Sequence, residues 1–271
     1  MNYKSIVESK TKNVSNVTKY TTEMDKALID KIFFLDKVGD TTLFADYGCA
    51  DGSVLKLACS ILPQCTFIGF DNSKEMIDKA NLRRNAIYFT SDINEFKKGI
   101  VKQQQYNKKK CCLSLLSLIH EMYSYGPEKV KDFWKFVFET KLFHYIAIRD
   151  MCVSHTTSRQ SDPISVAKIR MNYDNNLLSQ WESRWGSLTE NWSLTHFLLT
   201  YRYVDSWERE FRENYLPINL EDLLALIPNN FEPTYIEHFA LPFIRQQVKQ
   251  DFDIDLQDRT HLKLILKSKS I

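Results

Sequence analysis

The sequence predicts a doubly wound α/β protein with a mostly parallel seven-stranded sheet and a helical insertion between strands five and six. From residue 42 to 150, short apolar runs alternate with segments of helical period. Those runs are apolar on both faces, as strands are when helices cover a parallel sheet from both sides. Then about eighty residues separate the fifth run from the sixth, where a crossover needs only about 10–12. Right-handed crossovers leave few other topologies for such a pattern.

In chain order, a first helix is expected near Thr22–Lys37, and Thr42–Tyr47 (TLFADY) reads as strand one. The helix Ser53–Leu62 follows, with Val54, Leu55, Ala58, Ile61 and Leu62 on one face, Ser53 as N-cap and Pro63 as stop. Thr66–Phe70 is strand two, Ser73–Leu82 a helix, Ala86–Thr90 strand three and Asn94–Val101 a helix. Cys111–Leu118 is strand four, Pro127 opens a helix through Thr140, and Phe143–Arg149 is strand five. Phe231–Phe239 and His261–Lys267 are strands six and seven; the last alternates, as an antiparallel edge or near-edge strand does. The polar stretch Arg245–Arg259 between them predicts one more helix. The insertion at 151–215 holds four of the five tryptophans: Trp181, Trp185, Trp192 and Trp207. Trp192, His196, Leu199 and Tyr203 recur at helical spacing while Arg202, Asp205, Glu208, Arg209 and Arg212 alternate with them, so one amphipathic helix is predicted there.

The division that follows is an N-terminal arm at 1–21, a ligand-binding part at 22–150, a helical cap at 151–215 and a C-terminal part at 216–271. With 271 residues, 44% of them hydrophobic and 26% charged, the chain can bury a large core. Nothing in it reads as a membrane span or an apolar signal core. Six cysteines (49, 59, 65, 111, 112, 152) lack paired spacing, which predicts reduced thiols and a soluble, cytoplasmic protein without a metal site. Net charge is +2, made of +5 over residues 1–150 and −3 over 151–271, too mild an asymmetry to indicate a nucleic-acid surface. The Lys108–Lys110 run reads as a solvated loop.

The chemistry-bearing segment is Asp46-Tyr47-Gly48-Cys49-Ala50-Asp51-Gly52, between strand one and the next helix. Glycines there let the backbone turn sharply and approach a ligand, and the helix beyond presents free N–H groups. Asp71 ends strand two, 23 residues after Gly48, where a carboxylate points into the crevice used by ligands of open α/β sheets. Ser91-Asp92-Ile93 follows strand three. Asp71 and Asp92 also suit plain helix caps.

These three stretches resemble, in order and spacing over residues 42–150, the Rossmann-like class I S-adenosylmethionine-dependent methyltransferases, whose first motif is an acidic residue followed by GxGxG. Ala50 departs from that pattern at the middle glycine. The resemblance implies S-adenosyl-L-methionine as cofactor. Gly48, Cys49, Ala50 and Gly52 would bound its pocket, and Asp46 or Asp51 would hold the methionine ammonium. Asp71 would accept the ribose hydroxyls, with Asn72 and Met76 beside it. Ser91, Asp92 and Ile93 would contact adenine, and Ser117 would close the site from strand four. A nicotinamide-dependent dehydrogenase is disfavoured, since GxGxxG in this register finds Gly, Ala and Ser at 48, 50 and 53. No GxxxxGK[ST] is present.

Acceptor groups are expected where strand four ends, at Ser117-Leu118-Ile119-His120-Glu121-Met122-Tyr123-Ser124-Tyr125. His120 is the candidate general base and Glu121 the candidate orienting group; both also suit structural roles. Tyr123, Tyr125, Arg149, Tyr201, Arg202, Tyr203 and Trp207 are candidate acceptor-binding residues. Asp150 reads as a substrate contact or an ordinary strand-end ion pair. The [DNS]PP[YFW] signature of amino-group methylases of nucleic acids is missing, which demotes nucleic acid as acceptor without excluding it. Two functions follow: methyl transfer to O or N of an unidentified acceptor, small molecules slightly favoured, or a non-catalytic partner that binds another protein through 151–215. That aromatic segment reads as a lid, as an interface in a homodimer, or as core.

Overall fold

The computed structural model describes residues 27–82 and 87–269. The expected N-terminal arm and residues 22–26 of the first expected helix lie outside them. The chain divides into two compact units. One comprises the described residues of Met1–Asp150, Ile227–Glu237 and Lys263–Ile271; the other comprises Met151–Leu226 and His238–Leu262.

The first unit starts with α1 (Leu28–Lys31), then β1 (Leu43–Tyr47), α2 (Ser53–Ile61), β2 (Thr66–Phe70), α3 (Lys74–Asn81), β3 (Ile87–Thr90) and α4 (Ile93–Asn107). It continues through β4 (Cys111–Leu116), α5 (Ile119–Tyr125), α6 (Val130–Glu139) and β5 (Tyr145–Met151). Helices α7 (Pro163–Asn172), α8 (Asn175–Trp185), α9 (Asn191–Thr200), α10 (Trp207–Glu210) and α11 (Leu220–Ala225) precede β6 (Phe231–Phe239), α12 (Pro242–Phe252) and β7 (His261–Ser268).

The seven strands form one sheet in the order β3-β2-β1-β4-β5-β7-β6. Burial follows that order. All six residues of central β4 (CCLSLL) are buried, so both its faces must be apolar. Edge strand β6 has one buried residue, Phe231, and carries Pro233, whose missing N–H an edge tolerates. β1 pairs in parallel with β2 and β4, β2 with β3, and β4 with β5. The bonds Ser268→His144 and Cys152→Thr260 run one strand up while the other runs down, as do Lys269→Asn230 and Thr260→Phe239. β7 is therefore antiparallel to both neighbours. The fold class read from the sequence is the one observed.

Chain order reverses direction at the β1/β4 boundary, since β2 and β3 lie on one side of β1 and β4 and β5 on the other. Open α/β sheets bind ligands outside the carboxyl ends of strands at such a point. Phe34, Phe44, Phe67, Leu55, Phe89 and Ile265 are among the residues that bury the first unit's core.

Several local expectations change. Strand four stops at Leu116, because Ser117 takes a left-handed φ of 57° and the chain turns into α5. Ser53 is not the N-cap of α2. Gly52 occupies that position at φ 75°, and Asp51 accepts from the Ser53 N–H (3.1 Å) and hydroxyl (2.8 Å). A 3-10 turn at Pro127–Lys129 precedes α6. The Lys108–Lys110 run is partly engaged: Lys108 ends α4 at φ 51°, Lys109 reaches the Thr66 hydroxyl and Lys110 pairs with Asp40. The single amphipathic helix through 192–212 does not form. α9 ends at Thr200 and is buried nearly all round, and Arg209, expected outside, is buried against Glu210. Period alone misleads there because an all-buried helix needs no polar face.

Candidate functional site

The carboxyl ends of β1, β2, β3 and β4 carry the four loops of interest. After β1, the N–H groups of Gly48 and Cys49 both donate to the Phe70 carbonyl (2.7 and 2.9 Å), which ties this loop to the end of β2. Gly48, Ala50 and Gly52 all have positive φ (85°, 47° and 75°). At Gly52 a Cβ would lie 2.4 Å from the Phe89 ring, and at Gly48 it would lie 2.8 Å from Leu118. Glycine is therefore required at both ends of the turn. Ala50 bears left-handed strain of about 1–2 kcal/mol.

Asp71 sits half-exposed at the end of β2. Its Oδ2 accepts from the Ala50 N–H (2.9 Å) and its Oδ1 from the Ser73 N–H (2.8 Å). The carboxylate thus bridges the β1 loop and the start of α3, where Ser73 caps by accepting from Met76 (3.3 Å). Each carboxylate oxygen thus takes a backbone donor, which fixes the orientation of the group. Asn72 is exposed and Met76 is buried under α3. Ser91 and Asp92 are exposed after β3. Asp92 caps α4 by accepting from Asn94 (2.7 Å) and Glu95 (3.4 Å), and Ile93 beside it is half-buried. Cys49 is buried with its thiol close over Gly69 and donating to the Ala50 carbonyl (3.8 Å), and burial pushes the thiol pKa well up.

Asp46, at the end of β1, is buried with its Oδ1 accepting from Ser114 Oγ (2.6 Å). Burial pushes its pKa up to about 6, against the opposing pull of the Ser114 hydrogen bond and of Lys31. Lys31, on α1, is itself buried, which holds its ammonium pKa below the usual value.

On the other side of the switch point, α5 carries His120. Its Nδ1 lies 2.7 Å from Asp150 Oδ1, and both side chains are buried. Asp150 Oδ2 accepts from the Ile119 N–H (2.6 Å). A carboxylate so placed accepts a hydrogen bond from Nδ1–H and fixes the orientation of the imidazole. Asp150, at the end of β5, is thus the partner that orients His120. Glu121, Tyr123 and Tyr125 lie half-buried along α5, and the Tyr123 hydroxyl accepts from Trp134 Nε1 (3.3 Å). Ser117 donates its N–H to the Arg149 carbonyl (2.7 Å) and its Oγ accepts from Arg149 Nη1 (3.2 Å). Arg149 is buried and paired through Nε with Asp30 (2.8 Å).

The structure brings Asp46, the 48–52 turn, Asp71, Ser117, His120 and Arg149 to the carboxyl rim of one sheet. It places Tyr201 and Trp207 differently from expectation. Both are buried in the core of the second unit, Tyr201 bonded to Asp251 (2.6 Å) and Trp207 to Gln180 (3.2 Å). Neither is an open acceptor contact, because an aromatic at helical spacing is packed there by its neighbours. Arg202 stacks over Tyr203, whose hydroxyl accepts from it (2.7 Å). Lys31, Asp30 and Ser114 escaped the sequence reading. Ser114 alone left a signal, a lone hydroxyl in an otherwise apolar central strand that must find a buried partner.

No protein-family model and no curated protein matches the chain. Among solved structures, a SAM dependent methyltransferase from Archaeoglobus fulgidus aligns at 15% identity and TM-score 0.47, covering 90% of this chain and 94% of that one. One from Anabaena variabilis aligns at 12% and 0.46, covering 99% and 96%. The plantazolicin methyltransferase BpumL, solved with a desmethyl plantazolicin analogue and SAH, aligns at 13% and 0.44, covering 97% and 89%.

Proposed function

We propose that the chain is an S-adenosylmethionine-dependent methyltransferase acting on O or N of an acceptor, with small molecules favoured. The observation that carries this reading is the Asp71 carboxylate, held by backbone N–H groups of Ala50 and Ser73 across from a turn that only glycines close. A fixed, half-exposed carboxylate beside a glycine turn at the switch point suits a ribose diol. Buried Asp46 suits the ammonium of an amino-acid tail, whose positive charge would lower its raised pKa. These residues fit the cofactor that the motifs imply.

When bound, the sulfonium supplies an activated methyl group with a neutral thioether as leaving group. The protein's work is alignment and proton removal. The acceptor's proton passes to His120 Nε2, and Asp150 stabilises the imidazolium through Nδ1.

The test is turnover. The full-length protein is incubated with labelled donor and fractionated metabolites, with RNA as a parallel acceptor. Label should enter a small molecule, and His120→Ala should cut that incorporation at least about a hundredfold while S-adenosylhomocysteine still raises the melting temperature. A chain that neither transfers label nor is stabilised by the product would contradict the proposal.

A further inference from the structure

In the second unit, Arg202 is held in place by aromatic rings and not by a counter-charge. Arg159, Arg170 and Arg212 of the same unit pair with the carboxylates of Asp258, Glu182 and Glu208. Arg202 sits in the turn after α9, which the Tyr203 N–H closes by donating to the Thr200 carbonyl (3.0 Å). Its guanidinium carbon lies 4.5 Å from the centre of the Tyr203 ring and 5.7 Å from that of Phe243, in the first turn of α12. Nη2 donates to the Tyr203 hydroxyl (2.7 Å), and the side chain makes no other hydrogen bond and no ion pair among the described residues. A guanidinium has two forked edges that share Nη2, so one bond to a hydroxyl leaves the other edge whole for a two-oxygen anion. The ring faces attract the cation and fix its plane, so less rotamer freedom is left to lose when an anion binds.

We propose that Arg202, Tyr203 and Phe243 form a binding site for a small monocarboxylate with an apolar body. The open edge of the guanidinium receives both carboxylate oxygens. The apolar body lies on Phe243, a ring that is 39% exposed and whose covering adds affinity. A single fork sets the ligand class. It matches the plane and the one charge of a carboxylate, whereas a phosphate dianion calls for further cations and brings no apolar surface to the ring. The site stands on the second unit's own residues and does not depend on the methyl transfer proposed above.

The probe is 3-phenylpropionate, titrated by NMR against the full-length protein beside acetate, the uncharged 3-phenylpropanamide and inorganic phosphate. The acid should saturate the wild type in the millimolar range, with each of the other compounds at least about tenfold weaker. Arg202→Lys keeps the charge but replaces the fork with an ammonium, so it should weaken the acid about tenfold with the melting temperature unchanged. Phe243→Ala removes an exposed ring and should bring 3-phenylpropionate down to the affinity of acetate. It decides the matter even if the arginine variant does not fold. The site is refuted if the acid does not saturate, if the amide binds as well as the acid, or if phosphate binds more tightly than both. Equal affinity of the acid for wild type and Arg202→Lys, or for wild type and Phe243→Ala, refutes it as well. Each of these results leaves calorimetry with S-adenosylhomocysteine to judge the proposed function separately.

Discussion

Asp46→Asn tests the electrostatics of the rim. The carboxyl is buried and its pKa is raised to about 6 from 3.8, chiefly by desolvation. A carboxyl whose folded pKa lies above its unfolded value binds a proton in the native state that the denatured chain has released. Its contribution to stability is thus full below the unfolded pKa and is lost as pH rises through the folded one. Two pKa units correspond to about 3 kcal/mol at full separation, of which about 2 kcal/mol accrues between about pH 4.5 and about pH 8. Asparagine has a carbonyl oxygen to accept from Ser114 and does not titrate. Urea unfolding of both proteins at the two pH values gives the difference directly. The variant should gain on the wild type by about 2 kcal/mol as pH rises, while its affinity for S-adenosylhomocysteine falls because the ammonium loses its counter-charge. Parallel pH curves, or a wild type that gains on the variant towards high pH, would refute the assignment of a desolvated carboxylate.

Other residues give independent outcomes. Gly52→Ala should cost more than about 2 kcal/mol, combining left-handed strain with a Cβ 2.4 Å from Phe89; Phe89→Leu in the same chain should restore part of it, read by chemical denaturation. Asp150→Asn should lower turnover about a hundredfold or more with S-adenosylhomocysteine affinity unchanged, because it disturbs the tautomer of His120 and not the nucleoside site. Trp207→Ala should destabilise the second unit by about 3–5 kcal/mol, since the ring is buried and stacked on Phe211. A marginal loss there would mean that the ring is not core.

The sheet was legible because strand character is local. TFIGF at 66–70 and FEPTYIEHF at 231–239 begin and end where expected, bounded by Pro63 and Asp71 in one case and by Asn230 and Ala240 in the other. The turn at 48–52 was legible because positive φ selects glycine, and the structure shows what each missing Cβ avoids. Three-dimensional pairing was not. His120 and Asp150 are thirty residues apart, and only the parallel register of β4 with β5 sets them side by side. Lys31 left no trace, because a lysine on a short helix looks solvated until the fold buries it. The aromatic stripe at 192–203 misled for the opposite reason: Thr195, Thr200 and His196 are polar by type yet buried, so composition hid a helix with no outer face.

The central claim concerns the carboxylate at the end of β2. Titration calorimetry with S-adenosylhomocysteine on the wild type and Asp71→Ala should give micromolar or tighter binding that the substitution weakens about a hundredfold, since two ribose hydroxyls lose a charged acceptor. Equal heats for the two proteins, or none from the wild type, would contradict it.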